Sequence, residues 1–189
     1  MMNYTLNLPI EELEKRTNKD YLITKKFLKK DAPEYLELAE GDKEALKHLV
    51  RAANILEKIN MQLDNADNLP FKQFIEEEIA KGNKREELTK ILFDAQKGIN
   101  AIDSMSEPIN LAKEVPNRAG KGVYPSDLTK EEFHKILIKM LLDGKSDDVR
   151  KILTQRSVVE RHGDELIGFD YIDKFKDDFE KMADEIEKA

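Results

Sequence analysis

The sequence predicts a mainly α-helical protein, in which a helical bundle is followed by a smaller helical part with one short β-hairpin. Charged residues make up 38% of the 189 residues and aromatic residues only 7%, which suits long solvated helices better than a β-sandwich. Apolar residues also recur at steps of three and four along much of the chain, the spacing of helices with one buried face. A hydrophobic content of 40% suffices for one core, or for two small cores that share an interface.

The most regular pattern covers residues 42–63, where we expect a long core helix capped by Asp42. Its apolar positions are Leu46, Leu49, Val50, Ala53, Leu56, Ile59 and Leu63. A polar run then precedes Pro70, which is tolerated in the first turn of a helix. That second helix carries Phe71, Phe74, Ile75 and Ile79.

A third helix is predicted after Gly82, which stands where a helix ends in a left-handed residue. Asn83 and Glu86 have the spacing of a reciprocal capping pair that starts the new helix. Its apolar positions are Leu88, Ile91, Leu92, Ala95, Ile99 and Ile102. Three amphipathic helices joined by short turns indicate antiparallel packing, so residues 1–103 are interpreted as a helical bundle, with two shorter helical pieces within 9–38.

Residues 104–126 interrupt the helical period and are predicted to form a connecting loop. Proline and glycine accumulate here, at Pro108, Pro116, Gly120, Gly122 and Pro125. Loops of this length within a domain are usually functional or disordered. A loop that contacts a neighbouring domain would have the same composition.

Residues 127–189 are predicted to form helices and a hairpin that pack on the bundle as one unit. Thr129 and Glu132 have the spacing of a capping box, and Gly144 ends the helix that follows. A short helix at Ser146–Leu153 comes next, then apolar and β-branched residues on both sides of residues 162–164, which favours a hairpin. The last helix begins at Asp170.

Composition excludes several classes of partner. The net charge is -7 and basic residues alternate with acidic ones, so we expect no nucleic-acid partner. No apolar run approaches the ~20 residues of a membrane span, and the first residues lack a secretory signal pattern. We therefore expect no membrane partner and a cytoplasmic location.

Catalytic motifs are missing from the sequence. A helical zinc site of a metallopeptidase needs two histidines about one turn apart, whereas His48, His134 and His162 are far apart. There is no cysteine, no serine in a nucleophile elbow, and the paired carboxylates lie mostly on polar faces. We expect no catalytic residue, metal ligand or cofactor in this chain, with His48 at a core boundary and His162 at an exposed turn.

One loop nevertheless carries a candidate contact site. Asn117, Arg118, Lys121 and Tyr124 bring an amide, a guanidinium, an ammonium and a phenol close together in the sequence. This set could bind a peptide carboxylate or a neighbouring domain. The other interpretation is an ordinary connection between helices.

Two segments resemble a known family. Residues 124–133 (Tyr-Pro-Ser-Asp-Leu-Thr-Lys-Glu-Glu-Phe) and the predicted hairpin at 156–169 are similar to the amino-terminal part of dipeptidyl peptidase III-like zinc metallopeptidases. Such enzymes have two lobes around a cleft, and their zinc ligands lie later in the chain.

The resemblance implies that this chain is a non-catalytic amino-terminal domain forming one wall of the peptide-binding cleft. Zinc, the carboxy-terminal catalytic domain and the peptide substrate would belong to the parent protein. The alternative is a free-standing helical module that binds a partner protein.

Overall fold

The structure is a computed structural model that describes residues 4–20, 22, 29–102, 108–118 and 120–189, with the backbone alone at 101 and 102. The predicted domain boundary at 103, the loop residues 104–107 and part of the segment 9–38 lie outside the described residues. The elements of the first part are α1 (Ile10–Arg16), α2 (Pro33–Leu36), α3 (Glu40–Asp64), α4 (Asn68–Ile79), α5 (Lys84–Gln96), β1 (Asn100–Ile102) and β2 (Pro108–Asn110). The second part contains α6 (Lys130–Leu142), α7 (Ser146–Leu153), β3 (Ser157–His162), β4 (Glu165–Asp170), α8 (Tyr171–Lys174) and α9 (Lys176–Glu187). This order confirms the predicted mainly α fold with a hairpin near its end.

The first core lies between α4, α5 and the start of the chain. Phe71 is fully buried and its ring meets Tyr4 edge-on at 5.2 Å and Phe93 at 5.9 Å. Edge-on and tilted aromatic contacts of this kind add about 0.5–1.5 kcal/mol each beyond the burial of apolar area. Ile75, one turn after Phe71, is also fully buried, so the α4 stripe predicted from sequence faces this core.

Two helix starts differ from the predicted caps. Helix α3 begins at Glu40, before Asp42, and its N-cap position makes no side-chain hydrogen bond. Asn83 precedes α5 but donates its Nδ2 to Glu78 Oε2 at 3.0 Å, so the predicted reciprocal pair with Glu86 does not form. In both helices acidic residues occupy the first turn, where they interact favourably with the helix dipole. The predicted left-handed ending at Gly82 is confirmed, with a φ of 87°.

The predicted end of α5 was wrong. The helix stops at Gln96, and Lys97 takes a left-handed φ of 62°. Asn68 explains the change, because its Oδ1 accepts the Ile99 amide at 2.9 Å while its Nδ2 donates to the Met61 carbonyl at 2.9 Å. The Ile99 amide is therefore bound to a buried side chain and not to a helical carbonyl.

A second antiparallel strand pair was not predicted. Strand β1 pairs with β2 in the register Asn100↔Asn110 and Ala101↔Ile109. Strand β2 lies within the stretch predicted as loop, where Pro108 and a single apolar position carry little β signal. Ile109 is buried in the first core, so tertiary burial favours this short strand.

The second core forms between α6, α7 and the hairpin. Thr129 Oγ1 accepts the Glu132 amide at 3.1 Å, which confirms the predicted cap. Gly168 lies against α7 so closely that a Cβ there would come within 2.9 Å of the Ile152 nitrogen. The buried apolar residues of this core are Ile136, Leu137, Met140, Val149, Ile152, Val159 and Leu166.

The hairpin confirms the sequence prediction. Strands β3 and β4 pair from Ser157↔Asp170 to His162↔Glu165, which leaves Gly163 and the next residue as the turn. Gly163 has a φ of 59°, the left-handed conformation that such two-residue turns require. A two-stranded hairpin is marginal by itself, and here α7 covers one of its faces.

Helix α9 joins the second part to the first by packing along α3. Ile59 and Phe175 are buried in a shared cluster, with Ile55 and Phe179 packed against it. Lys58 Nζ lies 3.1 Å from Asp178 Oδ1 across the same contact. The helical stretch predicted from Asp170 is broken at Phe175, which separates α8 from α9.

The predicted burial of α3 was partly wrong. Leu49, Val50 and Leu56 remain 48%, 51% and 43% exposed, whereas Ala52 and Ile59 are buried. Apolar residues occupy more than one side of this helix, and the side that α9 covers is not the side on which the predicted stripe is centred. Within the described residues, no helix is both long enough and apolar enough to cross a membrane.

Candidate functional site

The loop that carries the candidate residues begins at a buried anchor. Val115 is buried in the first core, and its carbonyl accepts hydrogen bonds from Asn110 Nδ2 at 2.9 Å and Asn100 Nδ2 at 3.3 Å. Two side-chain amides on the β1–β2 pair therefore hold the point at which the chain leaves the first core.

The loop then passes directly over the end of α3. The Gly122 amide donates to the Leu63 carbonyl at 3.0 Å, and a Cβ at Gly122 would lie 1.9 Å from the Gln62 carbonyl oxygen. Only glycine fits this approach. One residue later, the Val123 carbonyl accepts the Val159 amide of β3 at 2.8 Å, so the loop connects α3 to the hairpin.

The candidate residues lie on different sides of this loop. Asn117 and Lys121 are exposed and Arg118 is half-buried. Lys121 Nζ lies 2.8 Å from Asp64 Oδ1 at the end of α3, which holds the ammonium at the surface. The Asn117 and Lys121 side chains therefore lie at the surface, whereas Arg118 is only partly exposed.

Tyr124 differs from the other three. Its half-buried ring meets the Phe133 ring edge-on at 5.5 Å and belongs to the second core. The Tyr124 ring therefore packs between the loop and the second core, and it does not lie on one surface with Asn117 and Lys121. The loop sequence contained no signal for which of its residues would turn inward.

The two segments that resemble the peptidase family meet at Arg161. Its Nη1 lies 2.9 Å from Glu132 Oε1, and its Nε lies 3.2 Å from Asp127 Oδ2. The hydrogen bond from Arg161 lowers the pKa of the Glu132 carboxyl, and the bond to Glu132 raises the pKa of the Arg161 guanidinium. Glu132 therefore bonds to the hairpin, while only the hydroxyl half of the predicted capping box is formed.

A groove lies along α3 next to Asp64, the residue that pairs with Lys121 of the loop. Its volume is about 460 Å³, and its apolar lining comes from Ala53, Leu56 and Met61 of α3. Two ion pairs lie beside this groove. Glu57 Oε2 is 2.9 Å from Lys97 Nζ, and Asp64 pairs with Lys121. Sequence reasoning missed this groove because it assigned Ala53 and Leu56 to a buried stripe. The signal that could have found it is the number of apolar residues on α3, which exceeds what one face can hold.

The three histidines lie in separate places. His48 Nδ1 is 2.7 Å from Glu185 Oε2 of α9, which agrees with the predicted boundary position, and this hydrogen bond lowers the pKa of Glu185. His134 is exposed on α6, and His162 is exposed at the end of β3 beside the turn. Among the residues that the structure describes, no three histidine, aspartate or glutamate side chains are grouped so that they could hold a metal ion.

Comparison with known proteins gives one informative similarity. No family model matches the chain, and no curated protein is significantly similar to it. A solved structure of dipeptidyl peptidase III from Caldithrix abyssi superposes with a TM-score of 0.62 at 20% sequence identity. The match covers 80% of this chain but only 27% of that chain, so this sequence spans about a quarter of the length of the solved protein. At this identity the similarity concerns the fold, and the chain therefore has the fold of one part of a dipeptidyl peptidase III structure.

Proposed function

We propose that this chain is a non-catalytic helical domain of a dipeptidyl peptidase III-like zinc peptidase and forms one wall of its peptide-binding cleft. The fold similarity to the solved peptidase over 80% of the chain is the observation that carries the proposal. A fold alone does not establish an activity. Additional support comes from the two family-like segments, because Arg161 joins them into one contact with Glu132.

In this proposal the chemistry belongs to the rest of the parent protein. A zinc ion in the second lobe would activate water for peptide hydrolysis, while this domain positions the peptide and excludes solvent. Asn117, Arg118 and Lys121 are proposed to contact the peptide or the second lobe, since Asn117 and Lys121 are exposed and Arg118 is half-buried on a loop held at both ends. Tyr124 would act indirectly, through its packing on Phe133. The proposal includes a cytoplasmic location, which fractionation of source cells checks.

The proposal is tested on the native polypeptide. An antibody raised against these 189 residues would isolate it from source cells, and its intact mass and peptide map would be measured. We expect either one polypeptide far heavier than 21.9 kDa or a tight complex, with a His-Glu zinc motif in the additional sequence. A species of 21.9 kDa with no such partner would favour the free-standing interaction module instead.

The contact role of the loop is tested in the same parent protein. Replacing Asn117 and Arg118 together by alanine should raise KM for a dipeptidyl arylamide or reduce the association of the two lobes. Lys113→Ala is the matched control, because Lys113 is also exposed but precedes the anchor at Val115. Equal effects of the two changes, or no effect of the first, would remove the loop from the site.

A further inference from the structure

The face of α3 formed by Leu46, Leu49, Val50, Ala53 and Leu56, called here the outer face, has the spacing of a buried surface. These positions recur at steps of three and four, as on helices that pack against a core. Leu46 is half-buried and the other four are exposed. Several large apolar residues on one helix face, in a chain in which 38% of the residues are charged, are typical of a surface that binds another protein surface.

The outer face is shaped for a helix. Ala53 lies at its centre and, with Leu56, borders the 460 Å³ groove, so a partner can approach the backbone closely where the side chain is small. Leu49, Ala53 and Leu56 follow the four-three spacing with which one helix packs into the side chains of another. The acidic groups beside it, Glu57 and Asp64, are already paired with lysines. The rim is therefore charge-balanced, and it suits an apolar partner without an excess of either charge.

We propose that the outer face of α3 is the docking surface for an apolar α-helix of the second lobe of the parent peptidase, an inference that rests on the proposed function. The length of the solved relative argues for this occupant, since about three quarters of that chain lies outside the part that this chain matches. The last helix of the present chain is not available for the position, because α9 already packs on the opposite flank of α3 through Phe179 and Asp178.

The test is site-specific photo-cross-linking in the native-length polypeptide. A benzoyl-phenylalanine cross-linker is placed at position 56 on the outer face, and at position 54 as a control, since Asn54 is exposed on the same helix and borders the groove next to α9. A third variant carries the cross-linker at position 117 in the loop. After irradiation, protease digestion and mass spectrometry identify the peptides joined to each position.

We expect position 56 to join peptides of the sequence that carries the His-Glu motif, with at least tenfold lower yield from position 54. Joining to a second copy of this chain, or to an unrelated protein, would overturn the docking surface. If position 117 reaches the second lobe and position 56 does not, the docking surface is wrong while the proposed function stands. If neither position reaches a zinc-motif polypeptide, both proposals fail. A fourth variant carries the cross-linker at position 49 of the outer face. Adding Leu56→Lys to it, at an already exposed position, should abolish that cross-link while leaving the helical circular dichroism unchanged.

Discussion

Gly122 provides a sharp test of how the two parts of the chain are joined. In the variant Gly122→Ala the new Cβ would lie 1.9 Å from the Gln62 carbonyl oxygen, more than 1 Å closer than Cβ atoms approach oxygen in real structures. Because that oxygen is backbone at the end of α3, the loop must move and the 3.0 Å bond from Gly122 to the Leu63 carbonyl is lost. Forced overpacking costs about 1–3 kcal/mol, and a lost hydrogen bond adds about 0.5–1.5 kcal/mol.

The expected loss is therefore about 3 kcal/mol in the free energy of unfolding, or roughly 6–12 °C in Tm for a chain of this size. Urea denaturation and thermal melting followed by circular dichroism measure it. Amide exchange gives a local readout, because the Val159 amide should lose protection when Val123 moves. Gly41→Ala is the matched control: it lies in α3 with nothing within 4 Å of a new Cβ, and we expect it to be neutral or stabilising by up to about 1 kcal/mol. A Gly122→Ala variant as stable as the parent chain would refute the close approach.

Three further predictions concern stability. Asn68→Ala removes both hydrogen bonds of a fully buried side-chain amide, so urea denaturation should show a loss of about 2–4 kcal/mol in the free energy of unfolding. The control Asn60→Ala, at an exposed position of α3, should change it by less than about 0.5 kcal/mol. Arg156→Gly relieves a left-handed φ of 73° and should raise the free energy of unfolding by about 1 kcal/mol. Arg150→Gly, inside α7, should lower it by about as much. A change of the same sign in both variants would contradict the left-handed conformation of Arg156. Burial, together with nearby Asp67, raises the pKa of Tyr4 to about 12. The stabilisation that this pKa shift adds to the free energy of unfolding is therefore fully present below the unfolded pKa near 10 and is lost as the pH rises from 10 to 12. Absorbance titration of the tyrosines checks this, and Tyr4→Phe should flatten the decline in stability over that range.

The sequence was informative wherever a local signal acts alone. Helix α7 has the predicted bounds because the left-handed Gly144 separates it from α6 and the apolar positions Val149 and Ile152 are both buried. The Thr129 cap and the hairpin turn at Gly163 were predicted for the same reason, since each depends on a few neighbouring residues. These elements supply the mainly α fold with its hairpin.

The sequence was misleading where a residue of another element competes for a local group. The apolar pattern of α5 continues to residue 102, but Asn68 accepts the Ile99 amide and the chain turns into β1. Asn83 is well spaced for a cap, yet Glu78 binds its side-chain amide. Neither contact is visible in local periodicity, because each joins residues from separate helices or turns.

The contact role of the loop stays a prediction, and the sequence did not predict the orientation of its side chains. The loop residues 117–124 were identified by composition, but the inward ring of Tyr124 depends on Phe133 and the position of Lys121 depends on Asp64. The outer face of α3 was treated as core because spacing shows that residues share a face and not which partner covers it. When a helix has apolar residues on two sides, one side can pack within its own chain while the other contacts a neighbouring surface.

Zinc content and dipeptide release, compared between these 189 residues and the native-length polypeptide, test the proposed function. Both would be supplied with zinc, dialysed, analysed for bound metal and assayed with a dipeptidyl arylamide. The proposed function predicts no retained zinc and no turnover for the 189-residue chain. It predicts about one zinc ion per molecule and chelator-sensitive turnover for the native polypeptide, as a three-ligand peptidase site would give. Tightly held zinc and peptide cleavage by the 189-residue chain alone would contradict it.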